Sequence, residues 1–62
     1  MHTLTLQLEL SDQELLALAQ LLKRLGWQEL RANAVNHEEA YNMRAAIGQL
    51  QQVLARQGYA PR

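Results

Sequence analysis

The sequence predicts an α+β domain, mostly helical, in which one N-terminal β-strand precedes two amphipathic helices (β-α-α). Three observations lead there. Residues 3–10 alternate polar and apolar without a fault. Residues 12–25 and 37–57 place their apolar side chains three and four positions apart. No second run with a period of two follows the first. Alternation is the pattern of a half-buried strand, and the three-four spacing is that of a helix with one apolar face.

In extended form, Leu4, Leu6, Leu8 and Leu10 share one face, and Thr3, Thr5, Gln7 and Glu9 the other. A strand needs a neighbour for its backbone N–H and C=O groups. The chain offers no other strand, so the expected partner is the same strand of a second copy. A homodimer joined through residues 3–10 follows. Size points the same way. The chain has 62 residues, one domain at most, and no cysteine. Domains this small lean on disulfides, metals or oligomerisation. Without cysteine, disulfides and thiolate metal sites are excluded, and oligomerisation is left.

Ser11 opens the first helix, with Glu14 three residues on, the spacing of a capping box. Leu15, Leu18, Leu22 and Leu25 form the apolar stripe, widened by Leu16 and Leu21. Lys23 and Arg24 suit the C-terminal end of the helix dipole, and Gly26 reads as the C-cap. Between Trp27 and Asn36 the spacing predicts one or two helical turns over the core, lined by Trp27, Leu30 and Ala34. Asn36 then caps the last helix, with Glu38 and Glu39 in its first turn. Ala40, Met43, Ile47, Leu50 and Leu54 make its stripe, Gln57-Gly58 ends it, and Pro61 blocks continuation. The expected core is Leu4, Leu6, Leu8, Leu15, Leu18, Leu22, Met43, Ile47, Leu50 and Leu54. Gly48, beside Ala45, Gln52 and Ala55, predicts close approach of another helix.

Six basic and six acidic residues cancel. A neutral chain lacks the field that draws proteins to nucleic acid, which is disfavoured as a partner. No apolar run approaches the roughly 20 residues that span a bilayer, so no membrane partner is expected. The first residues alternate and carry no basic cluster, unlike a signal peptide. A cytoplasmic location is the expectation.

No catalytic or cofactor pattern emerges. His37-Glu38-Glu39 lacks the second histidine that a zinc helix needs four positions on; Tyr41 stands there. The single serine, Ser11, is used as a cap, and no glycine-rich phosphate loop is present. The expectation is no enzyme, no metal and no cofactor. Binding is left. Trp27, Arg31, Asn33, Tyr41 and Arg44, between the helices and along the last one, are the candidate partner-binding residues. Their types dominate interface hot spots, and irregular connections often carry function.

Strand-helix-helix order resembles the ribbon-helix-helix DNA-binding proteins. The resemblance implies a two-copy antiparallel ribbon whose outward Thr3, Thr5 and Gln7 would meet base edges. Glu9 on that face, Glu38 and Glu39 where a phosphate would sit, and a long interhelical segment depart from the pattern. The runs Leu30-Arg31-Ala32-Asn33-Ala34 and Glu39-Ala40-Tyr41-Asn42-Met43-Arg44, with the ending Gly58-Tyr59-Ala60-Pro61-Arg62, resemble small uncharacterised proteins of bacterial plasmids and integrating elements. That resemblance implies a mobile-element accessory or inhibitor working through protein–protein contacts. A ribbon-helix-helix-like DNA-binding regulator is the alternative.

Overall fold

The computed structural model describes residues 1–59, and these are all helical or irregular: α1 (Asp12–Arg24), α2 (Trp27–Asn33) and α3 (His37–Arg56). The α+β expectation is corrected. Residues 3–10 form no strand, and residues 1–11 are exposed throughout. Alternation says which side of an extended chain is apolar. A strand exists only when a second strand takes up its backbone groups, and the chain supplies none. Leu4, Leu6 and Leu8, assigned to the core, are 78%, 60% and 58% exposed. The homodimer through residues 3–10 falls with the strand that was to join it.

The helix boundaries follow local chemistry. Ser11 and Glu14 close a capping box: the Glu14 N–H donates to Ser11 Oγ at 3.1 Å, and the Ser11 N–H to Glu14 Oε1 at 2.9 Å. These bonds, the backbone one foremost, hold the Glu14 carboxyl below the usual carboxylate range. Gly26 corrects its assignment. Leu25 ends α1 in extended conformation, its N–H on Leu21 O, and Gly26 is the N-cap of α2 at φ −86°. Asn36 caps α3 as expected, Oδ1 accepting from the Glu39 N–H at 2.8 Å.

The end of α3 is a Schellman motif. The Tyr59 N–H reaches Leu54 O at 2.9 Å and the Gly58 N–H reaches Ala55 O at 3.0 Å. Gly58 sits at φ +89°, where a Cβ is strained. Pro61 lies outside the described residues. Gly48 is the opposite case. It lies mid-helix with nothing within 4 Å of an added Cβ, so no neighbouring helix uses its missing side chain. Two glycine-to-alanine changes should therefore act with opposite sign. Gly48→Ala should stabilise by about 1 kcal/mol. Gly58→Ala should destabilise by roughly 1–2 kcal/mol. Paired thermal melts read both, and a lower melting temperature for Gly48→Ala would mean that something packs on that face.

α3 is the element against which both other helices pack. Tyr59, just past α3, donates its hydroxyl to Asp12 Oδ1 at 2.5 Å, which pushes the phenol pKa up. The start of α1 thus meets the end of α3, and the two run antiparallel. Ala19, Leu22 and Leu54 are buried together, with Leu15, Leu18, Ile47 and Tyr59 against them. Leu30 and Ala40 are the buried residues of the α2 region. Met43 is half-buried, and Leu50 is exposed, correcting its place in the expected core.

Candidate functional site

α2 is two turns long, too short to hold itself as a helix. Its register against α3 is set by two side chains. Trp27, its first residue, meets Tyr41 with ring centroids 4.8 Å apart and planes inclined by 41°. Leu30, one turn on, is buried. The tilted aromatic pair lets the indole cover α3 while Tyr41 stays 58% exposed.

This corner opens a cavity of about 280 Å³ between the end of α1, the start of α2 and the middle of α3. Its walls are apolar: buried Leu22 and Leu30, and half-buried Leu25, Trp27 and Ile47. Exposed Lys23 and Arg44 and half-buried Gln51 bring polar groups to the same cavity. Among the described residues, no carboxylate lines it. Arg44, Ile47 and Gln51 share one stripe of α3, at spacings of three and four.

The structure brings three of the five sequence candidates together. Trp27 and Arg44 line the cavity, and Tyr41 stacks on Trp27 beside it. Arg31 and Asn33 do not join them. Arg31 is half-buried in the last turn of α2, away from the lining. Asn33 spends its amide locally, Nδ2 donating to Glu29 O at 2.7 Å. Thr3, Thr5 and Gln7 are exposed on an unpaired segment, not on a ribbon. Sequence reasoning missed Leu25 and Gln51 as lining residues. Gln51 was findable, seven positions past Arg44 on the same stripe. Leu25 was not, because its place depends on how α1 turns into α2. Among the described residues, no three or more histidine, aspartate or glutamate side chains converge as metal ligands. No helix among them is long and apolar enough to cross a membrane.

Residues 1–62 match a family of unknown function (DUF7706) over their whole length. The chain belongs to that family. No curated protein matches the chain, and no solved structure matches it.

Proposed function

We propose that this chain is a small non-catalytic binding protein, a cytoplasmic mobile-element accessory or inhibitor acting through protein–protein contacts. The observation that carries the reading is the amount of surface left uncovered. The accessible area is 5505 Å², against about 4,100 Å² for a compact monomer of this mass. The Cα radius of gyration is 12.6 Å, against about 10.6 Å for a compact chain of 62 residues. Much of the excess is apolar: Leu4, Leu6, Leu8, Val35 and Tyr41 are each more than half exposed. Exposed apolar side chains in this number support a binding role, to the extent that they join into one patch on the partner-facing side. The excess exceeds the roughly 800 Å² that one partner contributes to a standard interface. The mobile-element part rests on the sequence resemblance alone.

Affinity capture tests the reading. Immobilised wild-type protein should retain one host protein in stoichiometric amount, and the Tyr41→Ala/Arg44→Ala variant should lose it. Tyr41 packs on Trp27, so unchanged far-UV circular dichroism and Trp27 emission are required of the variant before its loss of capture counts. Equal retention by both proteins moves the site elsewhere. Retention of random duplex DNA at low salt, lost steeply as salt rises, would favour the DNA-binding alternative instead.

A further inference from the structure

The cavity beside Trp27 has a composition that selects its occupant. Its walls are leucine, isoleucine and indole; among the described residues its charged lining is Lys23 and Arg44, without a carboxylate. Arg44 is exposed and makes no ion pair among the described residues.

We propose that this cavity seats one leucine-sized side chain from an acidic segment of a partner protein, with Arg44 pairing the neighbouring carboxylate. The proposal rests on the protein-binding reading and specifies its partner. Three observations choose this occupant. At about 280 Å³ the cavity lies at the lower edge of the roughly 300–1,000 Å³ range of small-molecule sites and has room for a leucine side chain. The guanidinium is the group that grips a carboxylate in two-point fashion. The exposed Tyr41 ring, held by Trp27, offers a flat shelf beside the cavity for the rest of the segment. A nucleic acid would meet mostly hydrocarbon here and a single well-placed arginine, which is little for a polyanion.

Two synthetic hexapeptides test it: two adjacent leucines flanked by glutamates, and the same peptide with lysines for the glutamates. Each is titrated into uniformly ¹⁵N-labelled full chain at low salt. The glutamate peptide should shift the Trp27 indole N–H and the Ile47 and Gln51 amides. It should bind about fivefold tighter than the lysine peptide, the scale of one exposed ion pair. Arg44→Ala should weaken that preference, and Arg44→Glu should remove it. A dispersed spectrum with unmoved core amides shows that each variant is folded. Equal binding of the two peptides, no binding of either, or shifts remote from Trp27 and Ile47 would overturn the proposal. If the peptides fail while affinity capture succeeds, the protein-binding reading stands and its site lies elsewhere. If capture fails while the glutamate peptide binds in this cavity, the cavity chemistry stands without that partner.

Discussion

Leu54→Ala should leave the chain largely unfolded at 25 °C. Leu54 is 7% exposed and, among the described residues, shares its buried cluster with Leu22 and Ala19. Removing a buried leucine side chain costs about 2–5 kcal/mol, the upper values where neighbours cannot close the gap. Here closure is hindered. Leu54 also supplies the carbonyl that receives the Tyr59 N–H, so its backbone is tied into the helix end. Domains are stable by about 0.05–0.15 kcal/mol per residue, roughly 3–9 kcal/mol for this length. One substitution therefore removes about a fifth of the total at the least, and all of it where the stability lies at the low end. Far-UV circular dichroism across a thermal melt reads the result. Leu50→Ala is the control, one turn earlier on the same helix but exposed. Its melt should stay close to wild type. If both variants melt together near wild type, the core is not where Leu54 sits.

The control also marks where the sequence was legible. Leu50 and Leu54 obey the same spacing, and the spacing assigned both to the core. Periodicity gives the direction of an apolar face but not its width, which depends on how much of it neighbours cover. With only α1 and the short α2 against it, α3 has too little cover for the whole stripe. The helix ends were more legible, because caps are local. Ser11 with Glu14, and Asn36 with Glu39, place their bonds within four residues. Gly58 reads equally well as a left-handed C-terminal residue. Gly26 misled because a glycine can follow one helix or open the next, and the choice is made by where Trp27 docks. The N-terminal alternation misled for a different reason. Leu4, Leu6 and Leu8 carry a correct local pattern, but pairing is a property of two strands, and this chain holds one candidate. Of the site, Trp27, Tyr41 and Arg44 could be picked out by residue type. Their convergence on one cavity could not, since it depends on the turn at Leu25 and Gly26.

Ala40→Leu should detach α2 while leaving the α1–α3 pair in place. Ala40 is fully buried, in the first turns of α3, beyond the reach of α1, whose last turn meets α3 near Ile47. α2 packs on α3 and holds the other buried residue outside the α1–α3 cluster, Leu30, so α2 is taken as the cover of Ala40. A leucine there forces three more carbon atoms into a filled contact, and overpacking of this kind costs about 1–3 kcal/mol. The cost falls on a weak element. α2 has seven residues, one buried side chain, and no side-chain bond at its N-cap. Segments of this length are not helical alone, so losing the docking loses the helix. Trp27 is the single tryptophan in the chain, and its fluorescence reports this event alone. The expected result is a red-shifted emission, with the Tyr41 contact and the adjoining cavity lost, while circular dichroism falls only by the share of a seven-residue helix. Ala45→Leu, at an exposed position of the same helix, should change neither signal. Wild-type emission from Ala40→Leu would show that Ala40 does not hold α2. Collapse of the whole helical signal would show that α2 is bound into the main core and not docked beside it.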